Sequence, residues 1–203
     1  MLRFRVPQRR RRAHFSKSAR SGAPDLAYVL KGERGSALLE FAISLPLLVV
    51  FVVGIYDFSG AFNQKQKIGQ AAQEGAIVGA AQPMSDIAAG NANPDSLQPV
   101  VTAVISSLAG GGVIRGCTLP PPAPTQLFLA WTYTISGCPD NLVITINRGW
   151  ISAPGPPMSI GTIVTVTYPY HWRFNSVIQL LLPGAAYAAT TSLKESATVH
   201  NQM

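Results

Sequence analysis

Two features of this sequence have residue types and spacing that could do chemistry: a lone acid and a pair of cysteines. Glu40 is the single charge in the apolar run 37–56, ALLEFAISLPLLVVFVVGIY. A carboxylate inside lipid costs about 2.5 kcal/mol or more and usually has a partner. Near the end of a span it can instead reach the headgroups at lower cost, so both readings stand. Gly35 closes the basic stretch before the run, Ser36 follows it, and Phe41 follows the acid. Cys117 and Cys138 are the two cysteines, both after the apolar run. They fit a disulfide in an oxidising compartment, with two free thiols as the alternative. His14, His171 and His200 are scattered, with no metal-ligand spacing near the cysteines. There is no glycine-rich phosphate loop and no nucleophile elbow. The expectation is a non-enzyme with no metal, no cofactor and no small-molecule substrate.

The element that must position Glu40 is the apolar run itself. As a helix its 20 residues span roughly 30 Å, the thickness of the hydrocarbon layer. Charged residues are 12% of the chain, against about 25% in soluble domains. The net charge of +7 is also uneven: residues 1–34 hold ten Lys/Arg against Asp25 and Glu33, and from Asp57 onward six basic residues meet six acidic ones. Positive charge stays on the cytoplasmic side, so the basic tail faces the cytoplasm and Tyr56 and Asp57 mark the outer interface. Two rivals remain: a buried core helix, which would need a larger protein around it, and a cleaved secretory signal, whose apolar core is usually shorter. Pro46 removes a backbone donor and predicts a bend. Anionic lipid is the expected partner of the tail, in preference to nucleic acid.

Beyond the span, residues 57–82 continue as an amphipathic helix. Phe58, Ala61, Ile68, Ala72, Ala76 and Gly79 form its apolar stripe, interrupted by Lys65, and Pro83 ends it. The small residues allow close approach, either of the protein's own domain or of partner helices. A second helix is expected from Asn93-Pro94-Asp95-Ser96 to the glycines 110–112. Strand-like runs follow at 126–136, 142–146, 162–168 (continuing to 172) and 187–199. The run 177–182 is too short to cross a bilayer. The fold class is α+β: an N-terminal transmembrane helix continuing into an amphipathic helix, packed on a small antiparallel β-sheet of about four strands, a pilin-like layout. The domain division is a basic cytoplasmic leader at 1–35, a transmembrane helix at 36–56, an extracytoplasmic helical region at 57–113 and a β-rich domain at 114–203. A Cys117–Cys138 bridge would close the proline-rich loop 120–124 against the turn 137–141. With a loop of about twenty residues it would contribute roughly 3 kcal/mol.

The stretch RGSALLEF, with Gly35, Ser36, Glu40 and Phe41, looks like the processing site of type IV prepilins. The longer segments RGSALLEFAISLPLLVVFVVGIYDFSGAF and QAAQEGAIVGAAQ resemble the TadE-like family of the tight-adherence (Flp) pilus systems, strongly over residues 34–82 and only in general architecture over 126–200. The resemblance implies a pseudopilin, a minor pilin-like component needed for pilus assembly in the bacterial inner membrane, with its C-terminal domain periplasmic. It implies cleavage after Gly35 by a prepilin peptidase, a new N-terminus at Ser36, and pairing of Glu40 with the terminal amine of a neighbouring subunit. The implied partners are the prepilin peptidase, other pilin-like subunits and Tad membrane components. The alternative is a single-pass anchored extracytoplasmic binding module unrelated to pili.

Overall fold

The computed structural model describes residues 33–88, 90–117, 121–151, 159–174 and 190–202. The chain divides into two units, Met1–Leu48 and Val49–Met203. The leader residues 1–32 and the runs 177–182 and 187–189 lie outside the described residues.

In the first unit, the described residues are the opening turns of α1 (Glu33–Ala81), which continues through Pro46. A proline is tolerated inside a membrane helix when neighbouring groups re-satisfy the freed carbonyl. The Ser44 hydroxyl donates to the Glu40 carbonyl oxygen. Residues 35–48 are exposed around the whole helix.

The second unit packs the rest of α1 on a sheet. Its buried stripe is Asp57, Ala61, Ile68, Ala71, Ala72, Ala76 and Ala80, at the three-and-four spacing of one helix face. Phe58, expected on this stripe, is exposed; the register is set one residue earlier, by Asp57. Lys65 does not interrupt the packing, because it faces outward and pairs with Glu195 at 3.1 Å. The small residues serve the protein's own domain. A Cβ at Gly75 would lie 2.5 Å from Val104 Cγ2, and one at Gly79 would lie 2.9 Å from Thr162 Cγ2. Glycine is what lets α1 seat against a second helix and a strand at once.

A 3₁₀ turn (Asp95–Leu97) leads into α2 (Gln98–Gly110). Pro99 falls in the first turn of α2, where its missing N–H has no intrahelical partner to lose. Val100, Val101, Val104, Ile105 and Leu108 form the buried face of α2, and Gly112 at φ +69° follows its end.

The strands are β1 (Thr125–Leu127), β2 (Ala130–Cys138), β3 (Asp140–Ile151), β4 (Ile160–His171) and β5 (Thr190–His200), in the order β1-β2-β3-β4-β5. All neighbours are antiparallel. Side chains alternate faces along each strand. Trp131, Tyr133, Ile135, Leu142, Ile144, Ile146, Val164 and Val166 are buried on the helix side. On the other face, register aligns Thr132, Thr145, Thr165 and Ser196 in one row.

The run expected as one strand over 126–136 divides at Phe128, whose φ of 53° is unusual for a non-glycine residue. The Gln126 amide holds the resulting hairpin by donating to the carbonyls of Phe128 (3.0 Å) and Ala88 (2.9 Å). Among the described residues the sheet therefore has five strands. The short run 142–146 extends to the full β3 through a bulge between Asn147 and Trp150, where Asn147 Oδ1 accepts from the Gly149 amide at 2.9 Å. On the β5 edge, outward Lys194 and inward Glu195 discourage a further strand from pairing.

Candidate functional site

Gly35, Ser36, Glu40 and Phe41 all lie in the opening turns of α1 and are exposed. Among the described residues, no ion pair engages the Glu40 carboxylate. The candidate span begins at Gly35, and its 18-residue apolar window, long and apolar enough to cross a membrane, has no residue buried among the described residues. That exposure argues against the core-helix alternative, which requires protein around the helix. A secretory signal is cut after its apolar core, which here ends at Tyr56. Such a cut would remove Asp57, and the same helix supplies Ala61 and Ile68 to the core.

Where α1 leaves the apolar run, a buried carboxylate fixes it to the sheet. Asp57 is 2% exposed. Its Oδ1 accepts from the Tyr170 hydroxyl at 2.9 Å and its Oδ2 from the Phe174 amide at 2.7 Å. Burial raises the Tyr170 phenol above its ordinary pKa, helped by its hydrogen bond to Asp57 and that group's charge and opposed by Arg173. Around this lock, Trp172 meets Phe58 edge-on at 5.3 Å and Tyr170 at 5.1 Å. Its indole N–H donates to Thr191 Oγ1 at 2.6 Å. Aromatic rings with a polar tip are favoured at the level of lipid headgroups. Sequence reading placed Asp57 only as an interface marker; its strand partners lie more than a hundred residues away.

The far end of α1 is also fastened. Arg148, on β3, has no exposed surface, and its Nη2 donates to the Gln82 carbonyl at 2.8 Å. A cation just past a helix C-terminus complements the orphan carbonyls and the dipole. Burial lowers the Arg148 pKa and the charge of Asp86 opposes this. Burial disfavours the charged form of Asp86 too, but hydrogen bonding from Ser96 and the field of Arg148 outweigh it and hold this carboxyl below the ordinary range. Nothing in the sequence pattern singled out Arg148, since it sits in a run that alternates like any other strand.

The Cys117 and Cys138 sulfurs lie 2.03 Å apart, a disulfide distance, and Tyr168 donates to the Cys138 carbonyl at 2.7 Å. His14 lies outside the described residues. His171 Nε2 sits 2.8 Å from Asp140 Oδ2, and His200 packs edge-on against Trp150. Among the described residues, no group of three or more His, Cys, Asp or Glu is placed to hold a metal ion.

Residues 35–76 match the family model described as TadE-like protein. The match begins at Gly35 and covers the exposed apolar segment, Asp57 and most of the packed part of α1. No curated protein and no solved structure matches the chain.

Proposed function

We propose that this protein is a pseudopilin-like, non-enzymatic component of Tad-type (Flp) pilus assembly, anchored in the bacterial inner membrane by one helix. The leader faces the cytoplasm and the sheet domain faces the periplasm. A prepilin peptidase hydrolyses the bond between Gly35 and Ser36: water adds across it, leaving a carboxylate on Gly35 and a free amine on Ser36. That amine is largely protonated at neutral pH. In the membrane the corresponding terminal amine of a neighbouring pilin-like subunit offsets the charge of Glu40, and the pair sets the register between helices.

The observation that carries this reading is the exposed apolar start of α1, with one carboxylate near its origin, leading into a helix that is locked to a folded domain. The helix is fastened to that domain at Asp57 and, just past its end, at Gln82. Phe51, Ile55, Phe58 and Phe62 recur at three-and-four spacing and stay exposed, Phe62 at 63%. Apolar surface one to two turns beyond Tyr56 suits lateral contact with another helix rather than with water. A plain anchor has no reason to be cut at Gly35. N-terminal sequencing and intact mass of the membrane-bound protein, with and without its prepilin peptidase, test the proposal. A mature chain starting at Ser36 only when the peptidase is present supports it. A working protein that retains residues 1–35 removes it.

A further inference from the structure

The extracytoplasmic region contains six cations: Lys65, Lys67, Arg115, Arg148, Arg173 and Lys194. Lys65 is paired with Glu195, and Arg148 is buried at the end of α1. Two of the remaining four, Lys67 and Arg173, line one cleft of about 340 Å³. Tyr56, Ser59, Asn63 and Lys67 form one wall of it, at the spacing of a single helix face. Tyr170 and Arg173 contribute the wall from the end of β4. No acid lines the cleft. Asp57 is turned into the lock with Tyr170 and Phe174, and Asp140, in the adjoining cleft, is engaged by His171. Neither Lys67 nor Arg173 is in an ion pair among the described residues. Arg173 also borders the adjoining cleft that holds Asp140, but the lining of this cleft itself is a pair of cations with hydroxyl and amide donors, an anion site by its chemistry.

The cleft begins at Tyr56, the last residue of the apolar run, which puts its mouth at the height of the phosphate layer. Lys67 lies on the wall of the cleft, with its Cδ 3.5 Å from where a Cβ on Gly111 would stand. We propose that this cleft binds a phosphate group, and that its source is the headgroup of an anionic phospholipid in the outer leaflet of the membrane that the protein spans. The lipid source rests on the membrane reading above; the phosphate chemistry does not.

The full chain, delipidated in detergent and titrated with phosphatidylglycerol or phosphatidylcholine, is read by native mass spectrometry, with a parallel titration of inorganic phosphate by calorimetry. Each charge-assisted hydrogen bond lost weakens binding roughly tenfold. The expected result is tighter retention of phosphatidylglycerol, a loss of at least about tenfold in the Lys67→Gln/Arg173→Gln variant, and retention in Lys67→Arg/Arg173→Lys. Arg115→Gln and Lys194→Gln are expected to bind as the parent does. Inorganic phosphate binding with the same dependence on Lys67 and Arg173, but no lipid preference, would assign the site to free phosphate and overturn the lipid source alone. Equal retention of the two lipids with no phosphate binding overturns the site, as does a double Gln variant that binds normally or an equal loss in the Arg115 and Lys194 controls.

Discussion

The Tyr170 hydroxyl reaches 2.9 Å to Asp57 Oδ1 and so joins the last strand turn before Trp172 to the first residue of α1 beyond the apolar run. The bond is buried and the second carboxylate oxygen is held by the Phe174 amide. Water cannot replace either partner cheaply. Removing one side of a buried bond to a charged group costs about 1.5–3 kcal/mol. Tyr170→Phe and Asp57→Asn are each expected to destabilise the protein by that order, and the pair to do so by less than the sum. Urea unfolding of the detergent-solubilised full chain, followed by near-ultraviolet circular dichroism, gives the double-mutant cycle. Additive effects would mean that the two residues act independently.

Gly75 sits where α1, α2 and β4 converge, and an added methyl would meet Val104 Cγ2 at 2.5 Å and Val164 Cγ1 at 3.3 Å. Valine methyls on packed elements cannot swing away. Alanine gains up to about 1 kcal/mol of helix propensity, whereas overpacking costs about 1–3 kcal/mol, so Gly75→Ala is expected to lower stability on balance. Gly54, with nothing within 4 Å of an added Cβ, serves as the control. A Gly75→Ala protein as stable as the Gly54→Ala protein would show that α1 can shift away from the sheet at little cost.

The disulfide closes a segment with a sequence separation of 21. Constraint of the unfolded chain by a loop of that size contributes about 3 kcal/mol. Cys117→Ser/Cys138→Ser is expected to lose stability of that order, and the parent protein to run faster on a non-reducing gel than on a reducing one. Free thiols in the parent protein purified without reductant would contradict the bridge.

The alternation of apolar and polar residues made the sheet class and the antiparallel meander readable, because a half-buried strand writes its period into the sequence. The hairpin at Phe128 was not readable, because it carries no glycine or asparagine. Its turn is held by Gln126 reaching a carbonyl 38 residues upstream. Glu40 stood out as a lone charge in an apolar run, and Gly35 through the resemblance of its surroundings to a prepilin processing site, both local signals. Asp57 and Arg148 were missed as anchors for the opposite reason: each draws its meaning from a partner on another element. The offset of the buried α1 stripe from Phe58 to Asp57 belongs to the same class. A hydrophobicity pattern assigns the aromatic to the core, and only the position of Tyr170 makes the acid the better fit.

The buried polar groups set how stability changes with pH. Asp86 has its folded pKa lowered from 3.8, so its contribution is present above about pH 4 and is lost as pH falls through the lower folded value. Tyr133 is the converse case. Burial pushes its phenol from 10.0 up to about 12, so its contribution is complete below pH 10 and is lost as pH rises from there to about 12. Among the described residues, the Tyr133 hydroxyl is buried with no hydrogen-bond partner. Deleting it removes an uncompensated desolvation of order 1 kcal/mol while keeping the ring in place. Tyr133→Phe is therefore expected to be neutral or more stable at pH 7, and to lose less stability than the parent between pH 10 and 12. Urea midpoints of the two proteins at pH 7, 10 and 11 (roughly the centre of that upper range) provide the comparison. A Phe variant that is clearly less stable at pH 7 would mean that the hydroxyl has a partner, and the alkaline argument would fall with it.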